Sequence, residues 1–73
     1  MTTLKDVSIS KETKIKEIKD ELITEQLASF GFHIGSTLNV VSKLPFNGAI
    51  TCEGNNTRIA LRAEDAANIV VID

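Results

Sequence analysis

The sequence predicts a mainly β fold for this 73-residue chain: a small barrel with one inserted helix at about residues 21–30 and a short helical turn at about residues 63–67. Three short segments in the second half of the chain alternate apolar and polar residues, and turn-forming residues separate them. A run of four apolar residues, 69–72, lies just before the end. A chain of this length has room for one domain, residues 1–73.

Each alternating segment has the period of two that is typical of a half-buried strand, so alternate side chains point inward. The predicted inward residues are Leu38, Val40, Ile50, Cys52, Ile59 and Leu61. Three such strands joined in series by short connections form a meander. The run at residues 69–72 predicts a last strand that is apolar on both faces. We expect one face of it to meet the interior and the other to lie under a helix or a partner.

Two connections carry the residues that tight hairpin turns need. Residues 45–48 read PFNG and include Asn47-Gly48, the strongest turn signal in the sequence, and residues 54–56 read GNN. Asn and Gly tolerate the positive φ angles of such turns. We therefore expect short loops between the three strands.

The first half of the chain leaves two interpretations open. A stripe at helical spacing favours one helix from about residue 11 to residue 30, and its members are Ile15, Ile18, Leu22, Leu27 and Phe30. However, Thr13 and Ile15 prefer strands, which favours a strand ending near Lys19 and a helix from about Glu21. In both interpretations Gly31 ends the helix, because glycine readily adopts the left-handed conformation found there.

Charge and cysteine content exclude several classes of protein. The net charge is −2 and the basic residues are spread from Lys5 to Arg62, so no phosphate-binding face is predicted. The single cysteine, Cys52, favours a reducing compartment. The longest apolar run is far below the roughly 20 residues that cross a bilayer, and no signal peptide is present. We expect a cytoplasmic protein that neither enters a membrane nor binds nucleic acid.

No group of residues has the spacing that catalysis or metal binding requires. The potential metal ligands are His33, Cys52 and scattered carboxylates, without paired spacing. Cys52 shares the inward face with Ile50, where a free cysteine behaves as a small apolar residue. No serine lies in a strand-turn-helix elbow, and no glycine-rich phosphate loop is present. We predict no catalytic residue, no metal site and no cofactor.

Three pieces of sequence, in order, resemble the ferrous iron transport protein A (FeoA) family of small SH3-like barrels. Residues 27–41 (LASFGFHIGSTLNVV) are similar to the family's leucine-glycine-leucine, x-proline-glycine and strand pattern. Residues 45–48 are similar to its proline-leucine-glycine loop, and residues 58–71 (RIALRAEDAANIVV) to its strand, helical turn and closing strand. Ile34 and Ala49 depart from the family by replacing prolines, and residues 10–12 (SKE) replace a proline-glycine turn.

The resemblance implies about five strands, and it assigns residues 15–18 to a first long strand. It also implies a cytosolic, non-enzymatic accessory protein of bacterial ferrous iron uptake, which binds and modulates the GTPase-coupled membrane permease FeoB. The alternative is a FeoA-like regulatory domain of an iron-dependent transcription repressor, acting through contacts within that protein. We expect the first interpretation if the gene product ends at Asp73, and the second gains if the chain belongs to a longer protein.

Five residues are candidates for contacting a partner. Leu44, Pro45 and Phe46 lie in the predicted loop at residues 44–48, and an aromatic residue at a loop tip is a frequent binding anchor. The alternative is that Phe46 folds back over the barrel end and seals it. Arg58 and Arg62 share one strand face, where they offer rim contacts or, to a partner GTPase, an arginine finger.

Overall fold

The structure, a computed structural model, describes residues 2–72. In chain order its elements are an N-terminal 3-10 helix (Leu4–Asp6), β1 (Glu12–Ile18), α1 (Glu21–Ser29), β2 (Thr37–Lys43), β3 (Ile50–Gly54), β4 (Thr57–Leu61), α2 (Ala63–Ala66) and β5 (Ile69–Ile72). No helix in this range has the length and apolar character that crossing a bilayer requires. The three predicted meander strands, the helical turn and the last strand are all confirmed.

The strands described between residues 2 and 72 form one antiparallel sheet in the order β4-β3-β2-β1-β5. The registers of β1 against β5 and of β2 against β3 each shift by one residue, at Lys16 and at Val41. An extra residue of this kind bends and twists its strand. The two bulges therefore help the sheet to curl around a single interior, as a small barrel requires.

The structure decides between the two interpretations of the first half. Asp20 is extended, with φ −130° and ψ 127°, so the single long helix from residue 11 is wrong. Its carboxylate accepts hydrogen bonds from the backbone N–H groups of Leu22 (2.8 Å) and Ile23 (3.2 Å), and it thereby caps α1 at the N-terminus. The strand that the resemblance implied is β1, which ends at Ile18.

Of the three stripe residues near α1, only Leu27 is buried as the helical stripe predicted. Ile23 and Leu27, four residues apart, are buried against the sheet, whereas Leu22 is 71% exposed and Phe30 is 52% exposed. The stripe depended on counting Ile15 and Ile18 as helical, and both lie in β1. Once the helix starts at residue 21, Ile23 and Leu27 form its inward-facing i, i+4 pair, and Ile23 takes the place that the stripe gave to Leu22.

The end of α1 is fixed by backbone hydrogen bonds around a glycine. Gly31 has φ +88°, and its N–H donates to the carbonyl of Ala28 at 2.9 Å, while the N–H of Phe32 donates to that of Leu27 at 2.8 Å. This pair of bonds is the Schellman arrangement, in which the residue after the glycine packs back on the helix. Phe32 is accordingly fully buried.

The core receives side chains from every strand, both α-helices and the N-terminal segment. Its members in the described range are Leu4, Val7, Ile15, Ile23, Leu27, Phe32, Leu38, Val40, Ile50, Cys52, Ile59, Leu61, Ala63, Ala66, Ile69 and Val71. All six residues predicted to point inward from the meander are among them. Burying one Leu, Ile or Val side chain contributes roughly 1.5–3 kcal/mol, so this cluster holds the fold together.

The start of the chain pairs with the last strand. Val70 is buried and forms a bridge with Thr3, and the N–H of Val71 donates to the carbonyl of Thr2 at 2.9 Å. Residues 2 and 3 therefore extend the sheet beside β5, and Val70 is buried on the face that the sequence left to a helix or a partner. Ile72 remains 57% exposed.

Candidate functional site

The loop between β2 and β3 is closed by two backbone hydrogen bonds. The N–H of Leu44 donates to the carbonyl of Ala49 at 3.0 Å, and that of Gly48 to the carbonyl of Pro45 at 3.1 Å. The two residues between Pro45 and Gly48 have φ near +58°. The turn is therefore centred one residue earlier than the Asn47-Gly48 signal predicted.

Gly48 is needed for space rather than for a positive φ. A Cβ atom at this position would lie 2.6 Å from Cβ of Leu44 and 3.0 Å from the carbonyl oxygen of Pro45. The chain folds back on itself at this point, and only glycine lets the two sides of the loop approach so closely. This packing moves the left-handed positions onto Phe46 and Asn47.

Phe46 projects from the tip of this loop into solvent. Its side chain is 99% exposed, so the alternative in which it seals the barrel end is wrong. Its φ of 58° is uncommon for an aromatic residue and costs conformational energy. Leu44, two residues earlier, is 61% exposed. An apolar ring held outward on a strained turn is a feature that packing within this chain does not explain.

Two lysines flank the loop. Nζ of Lys43 donates a hydrogen bond of 2.8 Å to the backbone carbonyl of Lys5, 38 residues away in sequence. Within residues 2–72, neither of the two ammonium groups has a carboxylate within 4.0 Å. We refer to Lys5, Lys43, Leu44 and Phe46 as the loop surface. Sequence reasoning missed both lysines, and nothing in the sequence signals that Lys5 lies near the loop.

A groove of about 490 Å³ borders the loop surface. It is lined by Lys5, by residues 47–49 of the loop and by residues 62–64. A smaller hollow of about 120 Å³, lined by Lys5, Lys43 and Leu44 among others, adjoins it. The projecting ring therefore stands beside a concave region.

Arg62 is part of this region, and Arg58 is not. Arg62 lines the groove, and its guanidinium contacts Asp65 at 3.1 Å and Glu64 at 3.3 Å. Arg62 donates hydrogen bonds to the carboxylate of Asp65, and these bonds, followed by the charges of both carboxylates, raise the pKa of Arg62 above its usual range. The guanidinium of Arg62 is therefore paired with two carboxylates of the same chain.

Arg58 lies at the other end of β4, in a separate groove of about 370 Å³ that Phe30 also lines. Its Nε and Nη2 atoms donate to Oε2 of Glu53 at 3.0 Å and 2.7 Å. Both arginines predicted as partner contacts thus already bind carboxylates. An arginine finger must be available to a phosphate, so either guanidinium would first have to leave its carboxylate partner to act as one.

Cys52 and His33, the candidate metal ligands in the sequence, lie in different environments. Cys52 is fully buried, and burial raises the pKa of its thiol to about 11, against a smaller opposing effect of Lys43. His33 is exposed, and its backbone N–H donates to Oγ of Ser36 at 2.9 Å. In the part of the chain that the structure describes, no three His, Cys, Asp or Glu side chains converge to hold a metal ion.

Comparison with known proteins gives a single family. The family model for the FeoA domain matches residues 2–73, almost the whole chain. No curated protein matches the sequence.

Solved structures with the same fold fall into two kinds. The FeoA of Stenotrophomonas maltophilia, a prokaryotic SH3 domain protein solved with zinc, is 25% identical, with a TM-score of 0.84 over 99% of this chain and 91% of its own. Iron(II) transport protein A of Clostridium thermocellum is 29% identical, with a TM-score of 0.84 over 96% of this chain and 44% of its own. A manganese-dependent transcriptional repressor is 21% identical, with a TM-score of 0.81 over 93% of this chain but only 39% of its own.

Proposed function

Because the chain belongs to the FeoA family, we propose that it is a cytosolic, non-enzymatic accessory protein of ferrous iron uptake that binds and modulates the membrane permease FeoB. The match over residues 2–73 supports this proposal. So does the relative from Stenotrophomonas maltophilia, which is described as a candidate ferrous iron transport activating factor. An SH3-like barrel alone would support no particular role, since such barrels serve many.

The observation that supports a binding site on the loop is the 99% exposure of Phe46, which has a left-handed backbone conformation. Strained residues persist where the surrounding structure holds them, and they cluster at functional sites. We assign Phe46 as the anchor, Leu44 and Pro45 as its apolar surroundings and Arg62 as a rim contact. Arg58 lies four residues before Arg62, a separation of about 13 Å along an extended chain. It therefore contributes only if the interface extends along β4.

A second candidate function has an observation in its favour. The manganese-dependent repressor contains this fold as 39% of its chain, so the same barrel also serves as part of a regulator. In that role the domain would contact the rest of a repressor rather than a permease. At 21% identity the likeness concerns the fold alone, and the family match is the broader support for the first candidate.

Affinity capture separates these candidates. The immobilised domain is expected to retrieve the cytosolic portion of the permease from a bacterial extract. Phe46→Ala should weaken that binding by about 30-fold, the loss of about 2 kcal/mol typical of an anchor residue. Phe30→Ala is the matched control, because Phe30 is also an exposed phenylalanine but lines the separate groove with Arg58.

The outcomes are distinct. Retrieval of a DNA-binding repressor segment in place of the permease would support the second candidate. Retrieval of RNA would contradict both. If Phe30→Ala abolishes capture and Phe46→Ala leaves it unchanged, the interface is the groove along β4 and the loop assignment is wrong.

A further inference from the structure

We infer that the loop surface binds a protein surface in which an apolar pocket is bordered by carboxylates. This inference rests on the proposed function for the choice of surface, and it adds the chemistry of the partner. It is carried by the shape of the loop, by its two lysines and by the adjoining groove.

The apolar part of the loop surface has the form of a knob. Phe46 stands alone at the tip, and the hydrogen bonds at 3.0 Å and 3.1 Å across the base of the loop restrict the turn that carries it. A backbone that is already restricted loses little further conformational freedom on binding, which favours affinity. The matching shape on the partner is a pocket that takes one ring, with room beside it for Leu44.

The charged part of the loop surface is positive on a chain whose net charge is −2. Lys43 is held in place by its bond to the Lys5 carbonyl, and Lys5 is exposed beside it. Neither has an ion-pair partner among residues 2–72. Complementary charges around an apolar contact steer association and determine specificity, so the partner's rim is expected to carry Asp or Glu.

The shape of this region favours a protein rather than a lipid surface as the binding partner. The groove of about 490 Å³ beside the knob can be filled by a projecting side chain or loop of a partner, whereas a bilayer presents no such projection. One ring and one leucine bury little area in a membrane interface.

The inference is tested by selecting displayed random peptides on the folded domain. Selected peptides are expected to combine aromatic or aliphatic residues with Asp or Glu, and their binding should perturb backbone NMR signals of residues 43–48 and of Lys5. Lys5→Glu combined with Lys43→Glu should weaken their binding about tenfold at low salt, and added salt should no longer weaken it, because the charges that salt screens are now repulsive. Phe46→Ala should weaken peptide binding while leaving the salt dependence in place.

Lys14→Glu combined with Lys16→Glu is the matched control, since it makes the same change in net charge. Lys14 pairs with Thr37, at the opposite end of β2 from Lys43, so peptide affinity should stay within about twofold. Lys5→Glu alone is the variant to use if the double variant fails to fold. It should not disturb the fold, because Lys5 is exposed and only its backbone carbonyl binds Lys43.

Three results would each overturn the inference. The selected peptides could be basic or uncharged, they could bind elsewhere on the domain, or none could prefer the wild type to the charge-reversed variant. Tighter binding to phosphatidylglycerol vesicles than to the selected peptides would overturn it in favour of a lipid surface. Failure to capture the permease, with acidic peptides selected as expected, would contradict the proposed function and leave the inference standing.

Discussion

The ring of Phe32 packs against Gly54, so that a Cβ atom added to Gly54 would lie 3.1 Å from Cε1 of Phe32. The same added atom would lie 2.5 Å from the carbonyl oxygen of Thr37. Phe32 follows the Schellman end of α1, and Gly54 is the last residue of β3. This contact therefore fixes the helix end against the β3–β4 hairpin. The absent side chain of Gly54 is what makes the approach possible.

Gly54→Ala is expected to lower the free energy of unfolding by about 2 kcal/mol or more, because the backbone oxygen of Thr37 cannot move aside easily. Denaturant unfolding measures the loss. Gly35→Ala is the control: Gly35 has φ +95° but nothing within 4 Å of the added atom, so only backbone strain of about 1 kcal/mol applies. Equal losses in the two variants would show that steric contact is not the cause.

Ile59→Ala is expected to cost roughly 2–5 kcal/mol of stability, since it leaves a cavity among buried neighbours in a small core. Phe46→Ala should shift the melting temperature by no more than a few degrees, because its ring contacts solvent. Thermal unfolding followed by circular dichroism compares the two variants. A comparable loss in Phe46→Ala would mean that the ring has a structural role.

Phe46→Asn is expected to raise the free energy of unfolding by about 1 kcal/mol. Asparagine tolerates the left-handed region better than phenylalanine does, so the substitution relieves strain at φ 58°. Phe30→Asn serves as the control, because Phe30 is also exposed but has φ −97°. If both variants change stability equally, hydrophobic exposure rather than backbone strain explains the result.

The free energy of unfolding is expected to fall as pH rises from 9 to 11. Burial raises the pKa of Cys52 from 9.0 to about 11, so in this window the unfolded chain releases the thiol proton and the folded chain retains it. The contribution is fully present below pH 9, and up to roughly 2–3 kcal/mol is lost through the window.

Cys52→Ala isolates that effect, because every other pH-dependent contribution to stability is common to the two proteins. The variant should be less stable at neutral pH but show a smaller decline between pH 9 and 11. In the wild type, a thiol reagent should react at pH 8 only after unfolding, because Cys52 is fully buried. Rapid reaction with the folded protein would contradict the assigned burial.

The purified domain is expected to carry no stoichiometric metal. Within the described residues, no group of three His, Cys, Asp or Glu side chains could hold a metal ion. One possible ligand, Cys52, is buried among apolar side chains. Elemental analysis after dialysis measures the content. Iron or zinc bound at a ratio of one per chain with sub-micromolar affinity would show that this expectation is wrong, whereas weak surface binding would not.

The sequence by itself determined the β half of the molecule. Alternation of period two places Leu38, Ile50 and Ile59 on inward faces whatever the rest of the chain does, because burying the opposite face would bury polar groups. The same local rules predicted the helical turn near residue 63 and the end of the helix at Gly31. The exposure of an aromatic ring on the 44–48 loop also followed from the sequence as one of two alternatives.

Only the tertiary structure decided the remaining features. Ile15 fits a strand and a helix equally well by spacing, and pairing of β1 between β2 and β5 settles the matter. The turn is centred on Phe46 because Gly48 packs against Leu44, a contact that turn preferences do not include. Lys5 and Lys43 meet across 38 residues because the N-terminal 3-10 helix returns to the end of β2, and local sequence preferences contain no information about contacts made at such a separation.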